Sequence, residues 1–193
     1  ETTVESSVPA RIPVGLDPPL VVTFGSNEAL STFQCTLNGL DLGQCAGPPD
    51  NSWTANLDAG AYTLEVAAVD ASENLNVDPT PQVVTFTVVG APLTTIDSGT
   101  APTDPTTDVT ATFSFDADQA NVTYVCSLDG VGFTACESPI SYTEAQLSAA
   151  AIANGDPATA IGDHSFRVIA TNDFGLMEAS PALYEWTIEL PPD

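Results

Sequence analysis

Short runs of β-branched and aromatic residues, separated by Gly, Pro, Asn and Asp, extend along the whole chain. In residues 61–70, Leu64, Val66 and Ala68 recur at every second position and so fall on one face. This alternation predicts a strand with one buried side. Short strands at this regular spacing are typical of a β-sandwich, so the chain is predicted to be all-β. The predicted strands are residues 19–26, 31–37, 42–45, 52–57, 61–70, 80–89, 109–117, 121–128, 132–136, 140–143, 164–172 and 182–190.

One segment of this pattern occurs twice. FQCTLNGLDLGQC, residues 33–45, returns as YVCSLDGVGFTAC, residues 124–136, with both cysteines in the same register. An Asn-Gly pair beginning at Asn38 and an Asp-Gly pair beginning at Asp129 occupy the same place in the two copies. Such dipeptides supply the positive φ angles that a tight hairpin needs. The repeat therefore predicts the same hairpin twice.

The repeat extends beyond the hairpins. TTVESS, residues 2–7, matches TTIDSG, residues 94–99. Self-similarity at this spacing indicates tandem modules of similar size. We therefore predict domains at residues 1–90 and 91–193, joined by the short, semi-rigid segment VGAPL, residues 89–93.

The second repeat contains an extra stretch with a helical pattern, TEAQLSAAAIANG, at about residues 143–155. Thr143 and Gln146 fit a capping box, alanines follow, and Asn154-Gly155 is a stop signal. The stretch predicts a short helical insert in the second domain. The insert is either a surface for a specific contact or a lid over one end of the sandwich.

The cysteines fall in two equally spaced pairs, one in each repeat. The simplest pairing joins Cys35 to Cys45 and Cys126 to Cys136, although three connectivities are formally possible. The alternative is four free thiols in a reducing compartment. Each local disulfide would join the two strands of a hairpin and stabilise a small domain by about 2.5–3 kcal/mol.

The charge is strongly one-sided. The chain has 26 acidic residues, two basic residues, Arg11 and Arg167, and a net charge of −24. This charge disfavours nucleic acid and anionic membrane surfaces as partners, because both would be repelled. With 43% hydrophobic residues the composition is nevertheless that of a globular protein.

Apolar runs stay well below the roughly 18 residues that a transmembrane helix needs, and the N-terminal residues lack the features of a signal peptide. We therefore expect no membrane insertion. If the protein is exported, as the cysteines indicate, the sequence represents a mature form or an excised piece. The expected location is extracellular, either secreted or at a cell surface.

The second repeat carries the pattern F-x-C-S-L-D-G-x-x-F-x-x-C-x-S-P-x-x-Y-T, followed by G-x-H-x-F-x-V-x-A and S-P-A-x-Y-x-W-T-I. Its residues here are Tyr124, Cys126, Ser127, Leu128, Asp129, Gly130, Phe133, Cys136, Ser138, Pro139, Tyr142, Thr143, Gly162, His164, Phe166, Val168, Ala170, Ser180, Pro181, Tyr184 and Trp186. The pattern resembles the bacterial immunoglobulin-like domains of large secreted and cell-surface repeat proteins and adhesins. The first repeat is a looser copy, with Phe86 in place of the final Trp.

This resemblance implies two tandem immunoglobulin-like β-sandwiches, the second with the helical insert. Modules of this kind serve as spacers, adhesins, fibre subunits and appendages of enzymes, so the fold leaves the role open.

Catalytic residues are scarce. His164, the only histidine, occupies the position of Tyr62 at the start of a core strand and is interpreted as a packing and hydrogen-bonding residue. The chain has no lysine, and paired cysteines supply no thiolate. Carboxylates are plentiful, but no pair stands out for glycoside hydrolysis. We therefore predict that the chain is not an enzyme.

A loop between two predicted strands concentrates oxygen ligands of the type that calcium prefers. The candidate ligands are Asp70, Glu73, Asn74, Asn76 and Asp78. Their spacing is not that of an EF-hand. The alternative is a solvated hairpin connection, and no other cofactor is predicted.

Asn121-Val122-Thr123 forms a glycosylation sequon at the start of a predicted strand. Asn121 is therefore a candidate modification site, and an incidental match is the alternative.

Two classes of function remain. The first is a structural or adhesive module, part of a long surface protein or the subunit of an extracellular fibre, whose partners are neighbouring copies or flanking repeats. In a fibre, residues 1–20 would complete the sheet of the next subunit. The second is a module that binds a surface glycan or protein through the insert or Trp53, although Trp53 and Trp186 both lie on strands where large aromatics pack inward.

Overall fold

The computed structural model describes residues 1–153, 155 and 159–192. The chain divides into two compact units, Glu1–Gly90 and Ala91–Asp193. Each unit has its own hydrophobic core between two layers of strands. The predicted fold class, all-β with two tandem immunoglobulin-like sandwiches and a short helix in the second, is confirmed.

Unit 1 follows the predicted pattern of short strands. They are β1 (Thr2–Val4), β2 (Arg11–Pro13), β3 (Leu20–Ser26), β4 (Thr32–Leu37), β5 (Leu40–Ala46), β6 (Ser52–Ala55), β7 (Gly60–Val69) and β8 (Gln82–Val89). One sheet has the order β1-β3-β6, and the other has the order β2-β8-β7-β4-β5. Neighbouring strands are antiparallel, except that β2 runs parallel to β8. Thus the segment before β3 contributes one strand to each sheet.

The core of unit 1 is formed by the alternating positions of its strands. Phe24 and Phe33 come from opposite sheets, and their ring centroids lie 5.4 Å apart. Leu64 and Val66 of β7 are fully buried beside them. The alternation in residues 61–70 therefore marks the inward face of a central strand, as the sequence predicted.

Unit 2 repeats this architecture, with some strands shorter than their counterparts in unit 1. Its elements are β9 (Thr94–Ile96), β10 (Ala111–Phe113), β11 (Phe115–Ala117), β12 (Thr123–Leu128), β13 (Thr134–Cys136), β14 (Ile140–Tyr142), α1 (Glu144–Ala153), β15 (Gly162–Thr171) and β16 (Ala182–Ile188). The larger sheet has the order β13-β12-β15-β16, while β9 pairs with β11 and β10 pairs with β14. Thr106 forms an isolated parallel bridge with Ile188, at the place that β2 and β8 occupy in unit 1.

The predicted strand at residues 109–117 is interrupted at Ser114. The Ser114 amide donates to Thr100 Oγ1 at 3.0 Å, and the Phe115 amide donates to Ser138 Oγ at 2.9 Å. Because these side chains replace backbone partners, the segment forms two short strands that pair with different neighbours.

The insert forms the helix α1 at the predicted place. The amide of Thr143 donates to Gln146 Oε1 at 3.0 Å, which is half of the predicted capping box. Leu147 of the helix is fully buried in the core of unit 2, as a lid would require. Of the predicted stop signal, Asn154 lies outside the described residues. No helix in the described ranges is long and apolar enough to span a membrane.

Candidate functional site

A buried threonine fastens the first strand of unit 1 to the opposite sheet. Thr2 is 1% exposed. Its amide and hydroxyl donate to Asp78 Oδ2 at 2.6 and 2.7 Å, and its Oγ1 accepts the Ala68 amide at 2.8 Å. Thr2, Ala68 and Asp78 are called the unit 1 latch below. The latch connects β1, in one sheet, to the end of β7, in the other.

Asp78 is held as a carboxylate within this latch. Its side chain is 7% exposed, and its Oδ1 accepts the amide and hydroxyl of Thr80 at 2.9 and 2.7 Å. Hydrogen bonds from Thr80 and Thr2 therefore hold the pKa of Asp78 well below its usual range. Both carboxylate oxygens are already used by donors of the protein itself.

Unit 2 has the same latch with a longer acid. The amide and hydroxyl of Thr94 donate to Glu178 Oε1 and Oε2 at 2.9 and 2.6 Å. The Ala170 amide also donates to Glu178 Oε2, at 3.4 Å. Thr94, Ala170 and Glu178 are called the unit 2 latch below. Thr94 and Glu178 are 6% and 7% exposed, so this carboxylate is also taken out of water.

The proposed calcium loop is organised by Asp70. Its Oδ1 accepts the amides of Ser72 and Asn76 and the Ser72 hydroxyl at 3.1, 3.0 and 2.6 Å. Its Oδ2 accepts Asn76 Nδ2 at 2.9 Å. Hydrogen bonds from Ser72 and then Asn76 lower the pKa of Asp70. The carboxylate thus serves as the acceptor of a turn.

The remaining candidate ligands do not join Asp70. Glu73 and Asn74 are exposed, and Asp78 belongs to the unit 1 latch. Within the described ranges no three His, Cys, Asp or Glu side chains cluster so as to hold a metal ion. Calcium binding by Asp70, Glu73, Asn74, Asn76 and Asp78 stays a prediction.

In the equivalent loop of unit 2, a neutral side chain accepts the hydrogen bonds of the turn. Asn172 Oδ1 accepts the amides of Phe174 and Leu176, both at 3.1 Å. An amide oxygen therefore replaces the carboxylate of Asp70. The turn requires an acceptor at this position and does not require a charge.

The hairpin of unit 1 is fastened by neutral groups. Asn38 Oδ1 accepts the Thr63 amide at 2.8 Å, and Asn38 Nδ2 donates to the Ala61 carbonyl at 3.1 Å. The Tyr62 hydroxyl donates to the Asp58 carbonyl at 3.0 Å. The two contacts of Asn38 tie the turn between β4 and β5 to the start of β7, and the Tyr62 contact ties the start of β7 to the loop that precedes it.

The hairpin of unit 2 uses a buried acid and the histidine. Asp129 Oδ1 accepts the Ser165 amide at 2.7 Å, and Asp129 Oδ2 lies 2.8 Å from His164 Nδ1. His164 Nε2 lies 2.9 Å from the Ala160 carbonyl. The imidazole stacks on Trp186, with centroids 5.2 Å apart. Asp129 and His164 are 8% and 5% exposed.

Burial alone would lower the pKa of His164. The hydrogen bonds to Asp129 and Ala160, with the negative charges of Asp129 and Asp163, outweigh this effect and raise the pKa above its ordinary value. The sequence predicts His164 to be a packing and hydrogen-bonding residue, but for Asp129 it indicates only a turn position. Its place opposite His164 depends on the pairing of β12 with β15.

The four cysteines form two disulfides, Cys35–Cys45 and Cys126–Cys136, with Cα atoms 5.7 and 5.8 Å apart. Each joins the two strands of a hairpin.

Asn121 is exposed in a turn with a φ of 58°. Its exposure is compatible with a glycan, and glycosylation of Asn121 stays a prediction.

A groove of about 770 Å³ opens on unit 2 beside Tyr124, with Asp116 and Glu137 among its lining residues. Burial, followed by the charge of Asp116, raises the pKa of Tyr124. The equivalent residue of unit 1, Phe33, is 1% exposed. Tyr124 itself is only partly buried. Trp53 and Trp186 are 8% and 2% exposed, so neither offers a stacking face.

No family model and no curated protein matches the sequence. Among solved structures, the chain is similar to the fibronectin(III)-like modules of Clostridium thermocellum CbhA, at 16% identity and a TM-score of 0.36, over 98% of this chain and 95% of that one. It is also similar to domains of chicken CNTN1, at 11% identity and a TM-score of 0.43, over 100% of this chain and 67% of that one.

A further similarity is to a Ca²⁺-stabilized adhesin with which an Antarctic bacterium binds ice, at 14% identity and a TM-score of 0.37. The match covers 98% of this chain and 48% of the adhesin chain.

Proposed function

We propose that the chain is a non-enzymatic extracellular structural or adhesive module, either a segment of a long cell-surface protein or the subunit of an extracellular fibre. The observation that carries this proposal is that an early segment of each unit is hydrogen-bonded in parallel to the final strand of that unit, as a strand pair in unit 1 and as an isolated bridge in unit 2. In unit 1, the Val14 amide donates to the Val89 carbonyl and the Thr87 amide to the Ala10 carbonyl, both at 2.9 Å. In unit 2, the Thr106 amide donates to the Thr187 carbonyl at 3.0 Å.

This arrangement resists tension. When the two ends of a unit are pulled apart, parallel strands near those ends are forced to slide along each other. Their hydrogen bonds are then loaded together instead of one after another. The latches and the disulfides add cross-links between segments that would otherwise separate. The disulfides also support an extracellular location, because they persist in oxidising environments.

Force spectroscopy of the two-unit chain tests the mechanical role. We expect two separate unfolding events, and reduction of the disulfides should lengthen each unfolded unit. Each bridge spans a sequence separation of 10 residues, which corresponds to about 35 Å of extended chain at roughly 3.5 Å per residue. Val14→Pro should lower the unfolding force of unit 1, because it removes one of the donors between the parallel strands. Glu73→Ala, in an exposed loop, is the control, and equal unfolding forces for both variants would overturn the proposal.

The fibre form of the proposal requires exchange of the N-terminal segment. Residues 1–20 pair with their own unit through β1 and β3 and through β2 and β8. A neighbouring copy would offer the same partners, so exchange would keep every contact. Arg11 and Thr87 are exposed register partners across β2 and β8, and cysteines placed there report which copy supplies β2. In assembled R11C/T87C material, exchange gives disulfide-linked multimers, whereas only intramolecular bonds would exclude it.

A second candidate function is a binding module for a glycan or a protein. The groove beside Tyr124 favours it, because a partly exposed aromatic ring flanked by carboxylates can stack on a sugar and accept hydroxyl hydrogen bonds. Binding to a glycan panel that Tyr124→Ala abolishes, while Phe133→Ala keeps it, would support this role. Absence of binding to any glycan would remove the glycan version.

A further inference from the structure

The two ring nitrogens of His164 both face acceptors. Nδ1 lies 2.8 Å from Asp129 Oδ2, and Nε2 lies 2.9 Å from the carbonyl oxygen of Ala160. A neutral imidazole has one N–H and one lone pair, so one of these contacts would bring a lone pair against an oxygen. Only the doubly protonated imidazolium donates to both. The geometry therefore points to a charged His164.

The surroundings of His164 are negative. Asp129 contacts it from the hairpin that follows β12, and Asp163 precedes it on β15. Trp186 of β16 covers one face of the ring without charge. From β14, Tyr142 faces Asp129, whose charge adds to burial in raising the pKa of the phenol. Arg167 of β15 carries a positive charge beside the same hairpin, because a methyl group added at Gly130 would meet its Nη1 at 3.7 Å. The positive group that pairs directly with Asp129 among the described residues is the His164 imidazolium, at 2.8 Å.

The Ala160 contact joins the imidazolium to the insert. Ala160 is 3% exposed and belongs to the core of unit 2. It lies between α1 and β15, next to Ile161, whose amide donates to Thr159 Oγ1 at 3.1 Å. The hydrogen bond from His164 therefore fixes the point at which the insert returns to the sheet.

We propose that His164 is a proton-dependent clasp, formed with Asp129 and Ala160, that holds the helical insert on unit 2. When the imidazolium loses its proton, one of its two hydrogen bonds is replaced by a contact between lone pairs. The retained N–H is expected to stay with the charged Asp129 carboxylate, which is the stronger acceptor. The Ala160 contact then opens, and the attachment of the insert to the core is weakened.

The direction of the pH dependence follows from the raised pKa of the histidine. The unfolded chain binds this proton with an ordinary pKa of about 6.5, whereas the folded unit binds it more tightly. The stabilisation is therefore complete below about pH 6.5 and is lost as the pH rises through the folded pKa. Over that window the unfolding equilibrium constant of unit 2 should rise by up to about tenfold per pH unit.

The unique histidine permits a direct test in the intact chain. We expect ¹⁵N spectra of the ring to show both nitrogens protonated at about pH 6 and a single deprotonation above the ordinary pKa of about 6.5. The protection factor of the Ile161 amide against hydrogen exchange should fall over the same pH range. A neutral ring at about pH 6, or an Ile161 protection factor that is constant through the titration, would overturn the proposal.

Unit 1 supplies matched variants, because Asn38 and Tyr62 occupy the places of Asp129 and His164. In the double variant Asp129→Asn/His164→Tyr, the unfolding equilibrium constant of unit 2 should no longer change with pH above about pH 6.5. Asn38→Asp in unit 1 is the control and should leave the titration of His164 unchanged. If the double variant fails to fold, the single variant Asp129→Asn still tests the proposed clasp. It should lower the pKa of His164, and an unchanged pKa would overturn the clasp.

Discussion

The two units place different chemistry at the same positions of one fold. At the hairpin, Asn38 and Tyr62 of unit 1 are neutral, whereas Asp129 and His164 of unit 2 form a buried acid–base pair. In both units the turn residue accepts the same backbone amide of the neighbouring strand. The fold therefore requires an acceptor oxygen at the turn, and the charge is an addition specific to unit 2.

The cores differ in a similar way. Phe113 of β10 stacks on Phe166 with centroids 4.2 Å apart, and Trp186 packs against it at 5.2 Å. The equivalent position of unit 1 is Val22, which is also fully buried. At this position unit 2 thus buries an aromatic ring where unit 1 buries an aliphatic side chain.

The largest expected effect is the loss of stability of unit 2 when the Phe113 ring is removed. Phe113→Ala should destabilise unit 2 by about 3–5 kcal/mol, because it removes a large buried ring and leaves a cavity. Val22→Ala, the matched change in unit 1, should cost less because fewer atoms are removed. Chemical denaturation of the chain, with the transitions of the two units assigned separately, measures both values. A cost for Val22→Ala equal to that of Phe113→Ala would contradict the comparison.

The two units should lose a similar amount of stability when their disulfides are removed. Replacing both cysteines of one bridge by serine should cost about 2–4 kcal/mol in the affected unit. Because both bridges span a sequence separation of 10 residues, the chain-entropy contribution should be the same in both. Denaturation of C35S/C45S and C126S/C136S tests this, and a large difference would show that native-state packing decides the effect.

Features encoded within one short segment could be predicted from the sequence. The hairpin turns follow from Asn38-Gly39 and Asp129-Gly130, whose observed φ angles are 51°, 77°, 50° and 75°. The helix follows from the capping signal at Thr143, since α1 begins at the next residue. Each depends on residues a few positions apart, where local propensity decides the conformation.

Features that join distant segments could not be predicted in the same way. Thr2 and Asp78 are 76 positions apart, and Thr94 and Glu178 are 84 apart. Their contact depends on how the sheets stack, which no local pattern encodes. The repeat aligns Thr2 with Thr94, but the local pattern around Asp78 predicts only a calcium-binding loop.

The latches should differ in how well they tolerate loss of the threonine hydroxyl. Thr94→Val removes the short hydrogen bond to buried Glu178 and should destabilise unit 2 by about 1–3 kcal/mol. Thr2→Val should cost more in unit 1, because it also removes the acceptor of the buried Ala68 amide, whereas in unit 2 the Ala170 amide keeps Glu178 as its acceptor. Thermal unfolding of the two variants measures the difference. The opposite order would mean that the hydrogen bonds from Thr80 to Asp78 compensate for both losses.

The smallest expected effect concerns the loop of Asp70, whose place is filled by Asn172 in unit 2. Asp70→Asn should lower the stability of unit 1 only slightly at neutral pH, because an amide oxygen still accepts the backbone donors and only the acceptor of the exposed Asn76 side chain is lost. The pKa of Asp70 is lowered in the folded unit, so the wild type gains stability above the ordinary pKa of about 3.9. This gain is lost as the pH falls through the folded pKa, and the variant should lose less stability in acid. Melting temperatures measured between about pH 3 and 7 test this. A rise in melting temperature with calcium that Asp70→Asn abolishes would instead support the predicted metal site and contradict a purely structural carboxylate.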